Sequence, residues 1–145
     1  IIEHYHTKEK IWSPTAYKRK NDFLTLSEKI FYDSLINSIQ HPHYQILSKV
    51  RVADLFDIID YNNHELHFDN IKALHIDFLI YNPYNNKTLL AIELDDSSHL
   101  REDRIKRDKF INELFRHNQF PLIRQEAKPS YNISELRNKI NSAIA

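Results

Sequence analysis

Two strand-forming segments joined by a short polar turn constrain the fold of this chain more than any other feature. Leu74–Tyr81 and Thr88–Asp95 are rich in strand-forming apolar residues, and residues 82–87 between them include three asparagines and a proline. Asparagine and proline favour turns, so the pattern predicts an antiparallel hairpin. With the turn centred near Tyr84–Asn85, the residue numbers of paired positions sum to about 169 or 170.

Side chains alternate between the two faces of a strand, which divides the hairpin into an apolar face and an acidic face. Asp77, Glu93 and Asp95 share the acidic face. The predicted register places Asp77 opposite Glu93 or Ile92, with roughly 5–8 Å between the Cβ atoms of neighbouring carboxylates. The apolar face, which we predict to be core, carries Ile76, Phe78, Ile80, Leu90, Ile92 and Leu94.

Three carboxylates this close together indicate a metal site. Like charges raise one another's pKa unless a cation neutralises them, and oxygen ligands suit Mg²⁺ or Mn²⁺. Asp77, Glu93 and Asp95 are therefore the candidate ligands. The alternative is that Asp95 and Asp96 merely begin a loop while Asp77 faces solvent, but the face shared by three acids favours the metal site.

Two further residues are candidates for the same site. His99 follows Asp95 by four residues and is a candidate metal ligand, general acid or base, or phosphate donor; the alternative is a loop histidine with no such role. Glu28 lies three residues after Thr25, which is the spacing of a helix capping box. Its position also points it toward the sheet, so Glu28 is a candidate for both roles.

A charged helix over about residues 101–117 follows the hairpin and interleaves basic residues with acids. One interpretation is a solvated face held by ion pairs between residues four apart. The other is that part of this face contacts phosphates beside the metal. On the second interpretation, the nucleic-acid-binding residues are Arg101, Arg104, Lys106 and Arg107 of this helix and Arg124 of the strand that follows.

The remaining segments complete one α/β (α+β) domain at residues 24–145, preceded by an extended arm at residues 1–23. The order helix, strand, strand, strand, helix, strand, helix (αβββαβα) predicts a mixed four-stranded sheet flanked by helices on both sides. Residues 53–70 are ambiguous, with Ala53–Ile59 as a candidate short helix and Asn62-Asn63 as a candidate turn. The other predicted elements are a helix from Thr25, strands at Tyr44–Val52 and Pro121–Glu126, and a last helix from Asn132.

The chain contains no glycine and no cysteine. It therefore has no Walker loop, dinucleotide-binding turn, nucleophile elbow, disulfide or thiolate metal site. Asparagine is predicted to supply most positive-φ positions instead, with Asn118 at the end of the charged helix as one of them. The chain has 20 basic and 20 acidic residues, so nucleic-acid binding would depend on local patches.

No apolar run approaches the roughly 18 residues of a membrane span, and no signal-peptide pattern is present. We therefore expect a cytoplasmic protein. The chain begins with Ile1 and Ile2 rather than methionine, so a fragment of a longer protein, with an anchor upstream, is an open alternative. The sequence does not indicate an oligomeric state.

A set of motifs spread along the chain carries a family resemblance. The string Glu-Leu-Asp-Asp-Ser-Ser-His at residues 93–99 is its specific part. Supporting segments are Leu26–Tyr32, Val50–Leu55, His75–Phe78, Asp103-Arg104, Arg107-Asp108, Phe120–Arg124 and Lys128–Tyr131. Together, from about Leu24 to Ile140, they resemble a bacterial restriction-endonuclease-like family catalogued as domain of unknown function 2726. A glycine common in that family is absent here, and Gln119-Phe120 stands near its position.

By resemblance, the family belongs to the PD-(D/E)xK nuclease superfamily and is similar to the very-short-patch-repair endonucleases. The superfamily core is a helix, three strands, a helix and a strand, which is the order predicted above. Its motif is an Asp on the second strand and Glu-x-Lys on the third. Asp77 and Glu93 match the acids, Leu94 would offer a backbone carbonyl ligand, and Glu28 matches a glutamate that the early helix often contributes. Asp95 stands where the lysine belongs.

The motif lysine normally orients water and stabilises charge on the attacked phosphate, so its replacement leaves two functions open. The leading hypothesis is a Mg²⁺- or Mn²⁺-dependent DNA phosphodiester hydrolase in which His99, Lys106 or Arg107 supplies the missing positive charge. A variant of this hypothesis has Asp95 hold a second cation. The alternative is a catalytically inactive nuclease-fold module that binds nucleic acid or a protein partner.

Overall fold

The computed structural model describes residues 12–96 and 102–145. Within these ranges the chain forms four α-helices and four β-strands. No helix in the same ranges is both long enough and apolar enough to cross a membrane. The elements are α1 (Leu26–Ser38), β1 (Gln45–Arg51), α2 (His64–Ile71), β2 (His75–Asn82), β3 (Lys87–Asp95), α3 (Glu102–His117), β4 (Leu122–Glu126) and α4 (Ile133–Ile144).

The four strands form one mixed sheet in the order β1-β2-β3-β4. β2 is antiparallel to both β1 and β3, and β4 runs parallel to β3 after the crossover through α3. The predicted mixed four-stranded sheet is therefore confirmed. The predicted order αβββαβα omits α2, which begins within the ambiguous segment at residues 53–70 and ends one residue beyond it. The candidate helix at Ala53–Ile59 does not form, and a 3-10 turn at Val52–Asp54 stands at its start. Ile71 is the buried residue of α2, and a single buried position gives no detectable apolar periodicity.

The hairpin of β2 and β3 forms as predicted. Phe78 pairs with Ile92, and after an irregularity just before Tyr81 the pairing shifts so that Tyr81 pairs with Thr88. Both predicted registers therefore occur in the same hairpin. In the turn, Asn86 has a φ of 57°, a left-handed conformation that asparagine tolerates.

Helices cover both faces of the sheet and create two core layers. The layer against α1 and α4 contains Phe31, Leu35, Phe78, Ile80, Leu90, Ile92, Leu136 and Ile140. The layer against α3 contains Val52, Ile71, Ile76, Leu79, Ala91, Ile111 and Phe115. The prediction that Ile76 shares a face with Phe78 and Ile80 is therefore wrong.

Ile76 lies in the other layer because the alternation of side chains is interrupted at the same point in β1 and in β2. Ser48 pairs with Phe78 and Val50 pairs with Ile76, and between them Lys49 adopts a left-handed φ of 56°. Val50 then packs in the second layer beside Ile76, although simple alternation would leave it on the face of Ser48. Asp77 occupies the place on β2 between these two pairs. Asp77 therefore lies at the interruption of the strand pairing. Such irregularities are common next to functional sites.

The end of α3 has its left-handed residue one position later than predicted. Gln119 has a φ of 53°, and Asn118 has no positive φ. The N–H of Phe120 donates to the Phe115 carbonyl at 2.9 Å, and the N–H of Gln119 donates to the Arg116 carbonyl at 3.1 Å. This is the Schellman pattern, whose left-handed position usually holds glycine.

Candidate functional site

A cavity of about 220 Å³ lies between the start of α1, the start of β2 and the end of β3. Its lining is dominated by charged side chains from four elements and from the residue after β3. The lining acids are Glu28, Asp77, Glu93, Asp95 and Asp96, and the lining arginines are Arg104 and Arg107. The fold therefore brings together the three predicted metal ligands, Glu28 and two of the predicted phosphate-binding residues.

Asp77 and Glu93 are fixed by hydrogen bonds to the backbone of the opposite strand. The N–H of Asp77 donates to Glu93 Oε1 at 2.9 Å, and the N–H of Leu94 donates to Asp77 Oδ2 at 2.8 Å. These side-chain bonds continue the hairpin beyond its last backbone pair, Phe78 with Ile92. Within the described residues, the second oxygen of each carboxylate accepts no hydrogen bond.

Burial makes both carboxylates reluctant to ionise. Glu93 is only 3% exposed, and its pKa is raised from 4.5 to about 7 by burial and then by the charge of Asp77. The pKa of Asp77 is also raised, first by burial and further by the charges of Glu28 and Asp95, against the lowering effect of the Leu94 N–H. A cation bound beside the two carboxylates would favour their ionised forms and oppose both shifts.

Two arginines approach the carboxylates from α3 and β4. Arg107 Nη2 is 3.8 Å from Glu93 Oε2, and Arg124 Nη1 is 3.1 Å from Asp95 Oδ1. Asp108 Oδ1 lies between the two guanidinium groups, 3.4 Å from Arg107 and 3.6 Å from Arg124. Asp108 therefore links the two arginines that stand beside the acids.

The sequence analysis missed the roles of Asp108 and Asn112. Asn112 Oδ1 accepts a hydrogen bond from Arg124 Nε at 2.9 Å, so α3 orients Arg124 on β4 through two side chains. A signal for Asp108 was present in the sequence. It precedes the buried Ile111 by three residues, which puts an acid on the inward face of a helix. No comparable signal marked Asn112.

Glu28 forms the predicted capping box and also lines the cavity. Its N–H donates to Thr25 Oγ1 at 3.2 Å, and its Oε1 accepts from the Thr25 N–H at 2.8 Å, which forms the predicted capping box. The same side chain lines the cavity, and its charge raises the pKa of Asp77. The helix cap therefore also adds negative charge to the site.

The other predicted residues have different positions. Arg104 lines the cavity and lies 3.8 Å from Asp96. Lys106 is exposed on α3 and is not among the lining residues. His99 and Arg101 lie outside the described residues, so their predicted roles stay predictions.

The described residues offer a two-carboxylate arrangement for a cation. No group of three or more histidine, aspartate or glutamate side chains in residues 12–96 and 102–145 is arranged to hold a metal ion. Asp95 instead has its Oδ1 against Arg124. Asp77 and Glu93 supply hard oxygen donors, which fit Mg²⁺ or Mn²⁺ when water and substrate oxygens complete the coordination.

Fold and site together define a mixed α/β domain in which a buried and a half-buried carboxylate lie beside arginines. The model of a family described as "Protein of unknown function (DUF2726)" matches residues 20–144, and the chain belongs to this family. No curated protein and no solved structure shows a significant match to the chain. The predicted family is confirmed, and the restriction-endonuclease-like relationship stays a prediction.

Proposed function

We propose that this protein is a metal-dependent DNA phosphodiester hydrolase whose cation is held by Asp77 and Glu93. The observation that carries the proposal is a pair of carboxylates, Glu93 buried and Asp77 half-buried, that are fixed by backbone hydrogen bonds and line a cavity beside Arg107. Mg²⁺ in proteins commonly binds one or two carboxylates and keeps its other positions for water and substrate phosphates. Two carboxylates therefore suffice for a phosphodiester substrate. The choice of DNA follows from the resemblance to nucleases.

Each group in the cavity has a defined role in this proposal. Asp77 and Glu93 would hold Mg²⁺ or Mn²⁺ with their carboxylates, each of which has one oxygen that accepts no backbone hydrogen bond. The bound ion would supply Lewis-acid polarisation of the scissile phosphate and a lower pKa for an attacking water. Leu94 also lines the cavity. Its carbonyl is the backbone ligand that the nuclease resemblance implies.

Arg107 takes the place of the missing motif lysine. Its guanidinium lines the cavity and lies 3.8 Å from Glu93, which is within reach of a phosphate held beside the carboxylates. Positive charge aimed at the phosphate stabilises the charge that develops there during attack. Lys106, one residue earlier, is exposed outside the cavity, so it does not fill this role. In this proposal Asp95, which lies 3.1 Å from Arg124, positions that arginine.

The test is cleavage of end-labelled single-stranded and duplex DNA with Mg²⁺ or Mn²⁺. We expect cleavage that EDTA abolishes and that the double variant Asp77→Asn, Glu93→Gln lacks. The amide side chains keep an oxygen acceptor for the two backbone N–H groups, so the variant retains the hairpin and loses the charge. The matched control is Asp33→Asn, Glu65→Gln, which changes two exposed acids of α1 and α2.

Two results would overturn the proposal. Undiminished cleavage by the double variant would place the reaction elsewhere in the protein or in a contaminant. DNA binding without cleavage under any metal condition would favour the inactive nuclease-fold module, for which the substitution of the motif lysine by Asp95 is the supporting observation.

A further inference from the structure

A second groove adjoins the carboxylate cavity. It has a volume of about 530 Å³ and runs along the start of α1 and the edge of β1, with Phe23, Leu26 and Tyr32 in its lining. Thr25 lines both this groove and the carboxylate cavity. A ligand lying in the groove therefore reaches the acids without crossing the body of the protein.

Large apolar side chains stand at the surface around this groove. Phe23 is 67% exposed and Leu26 is 77% exposed. Lys49 holds Phe23 in place, because its ammonium donates to the Phe23 carbonyl and lies 4.3 Å from the centre of the ring. Six residues earlier in the arm, Tyr17 is also 77% exposed. Neither ring packs in a core layer, and Phe23 lies in the lining of the groove.

The arm that leads into the groove carries a run of positive charge. Lys18, Arg19 and Lys20 are consecutive and exposed, and no acid within the described residues forms an ion pair with them. Lys20 is five residues from Thr25, so the fully extended chain separates them by no more than about 18 Å. Because the whole chain has no net charge, this run is a local attraction for a polyanion.

We infer that the arm and this groove bind an unpaired DNA strand and direct it to the carboxylate cavity. Exposed rings beside cations are the pattern that binds single strands, because unpaired bases stack on the rings while the cations contact phosphates. Duplex DNA keeps its bases stacked inside the helix and would leave Tyr17 and Phe23 unused. The inference rests on the proposed function for its choice of DNA and adds to it the strandedness of the substrate.

The test is binding of a fluorescent twelve-nucleotide oligo-dT, followed by anisotropy in EDTA, with a blunt hairpin duplex as the second probe. We expect the single strand to bind at least tenfold more tightly than the duplex. Phe23→Ala and Tyr17→Ala should each weaken single-strand binding by roughly five- to tenfold, since each removes a stacking ring. The matched control is Tyr61→Ala, another exposed ring at 80% exposure, which lies outside the groove and should leave binding unchanged.

The salt dependence of binding tests the charged run Lys18-Arg19-Lys20 separately. Changing Lys18, Arg19 and Lys20 to alanine together should reduce the slope of log affinity against log salt by about 2, as expected for three lost phosphate contacts on a single strand. An unchanged slope would show that the run does not contact phosphates and would contradict the inference.

The outcomes separate this inference from the proposed function. Single-strand binding in EDTA that depends on Phe23, without cleavage in any metal, would support the inference and overturn the hydrolase. Cleavage together with equal affinity for duplex and single strand, or with no effect of Phe23→Ala and Tyr17→Ala, would support the hydrolase and overturn the inference. Absence of binding to either probe would also overturn it and would leave the exposed rings as a surface for a protein partner.

Discussion

The backbone N–H of Asp77 donates a hydrogen bond to Glu93 Oε1 at 2.9 Å. In return, Asp77 Oδ2 accepts from the Leu94 N–H, so each carboxylate is tied to the opposite strand. The two side chains therefore hold the end of the hairpin as well as the candidate cation site. A truncation to alanine removes both roles at once, whereas a change to the amide keeps an acceptor oxygen and removes only the charge.

The first prediction concerns Glu93 and pH. Its pKa rises from 4.5 to about 7 on folding, mainly through burial and then through Asp77. The folded state thus binds the Glu93 proton more tightly, so the contribution of Glu93 to stability is greatest below pH 4.5 and falls as the pH rises to about 7. The rise in pKa corresponds to a loss of about 3 kcal/mol. Glu93→Gln should abolish this part of the pH dependence, as measured by urea unfolding at pH 5 and pH 8 without metal.

Glu113→Gln, an exposed acid of α3, is the control for this experiment and should keep the wild-type pH dependence. If Glu93→Gln showed the same change in unfolding free energy between the two pH values as the wild type, Glu93 would be ionised normally in the folded protein.

The second prediction separates Asp77 from Asp95 as ligands. Asp77→Asn removes the charge of a proposed ligand and should weaken Mn²⁺ binding by about tenfold or more, since affinity for hard cations follows the ligand charge. Asp95→Asn should change the affinity by less than about threefold, because Asp95 lies 3.1 Å from Arg124 and serves mainly as its partner. Isothermal calorimetry with Mn²⁺ measures both. An equally large loss in the two variants would establish Asp95 as a ligand, as the sequence predicts.

The third prediction concerns the charge that replaces the motif lysine. Arg107→Ala should lower kcat by about a hundredfold, the usual effect of losing one group that stabilises transition-state charge. Lys106→Ala, its neighbour on the exposed side of α3, should leave kcat within about twofold. Cleavage rates at saturating DNA provide the measurement. Equal losses in the two variants would mean that α3 contributes only a general positive field.

The fourth prediction concerns the end of α3. Gln119 adopts a φ of 53°, where a side chain with a Cβ is strained and glycine is not. Gln119→Gly should therefore stabilise the protein by about 0.5–1 kcal/mol, a net value after the entropy that glycine adds to the unfolded chain. Thermal unfolding measures the change. Asn118→Gly, one position earlier and without a positive φ, should not stabilise the protein, and a gain in both variants would contradict the assignment to Gln119.

The hairpin could be predicted because its signals are local. Alternation along β2 and β3 and the turn between them set the register, and the register alone brought Asp77 beside Glu93. The capping box at Thr25 and Glu28 is another local pattern, and it also formed. Short-range spacing therefore accounts for most of the acidic wall of the cavity.

What the sequence could not supply depends on non-local contacts and on unusual backbone. The pairing of Asp95 with Arg124 joins residues 29 positions apart, and the bond from Arg124 to Asn112 crosses from β4 to α3. Lys49 has no preference for a left-handed φ, so the sequence contains no signal that Ile76 and Phe78 lie in different core layers. At the end of α3, propensity favoured Asn118 over Gln119, but the Schellman bonds selected the later residue.

The exchange of faces at Lys49 and Asp77 restricts how this protein can vary in length. At that point the alternation of side chains along β2 is interrupted, so Ile76 and Phe78, two residues apart, lie in different core layers. Inserting or deleting a single residue in this part of β2 would move the side chains on one side of the change to the opposite face of the sheet. A core side chain would then be exposed, and the Asp77 carboxylate would point away from Glu93. Homologues that keep the carboxylate pair should therefore accept length changes in the hairpin turn and not between residues 76 and 80.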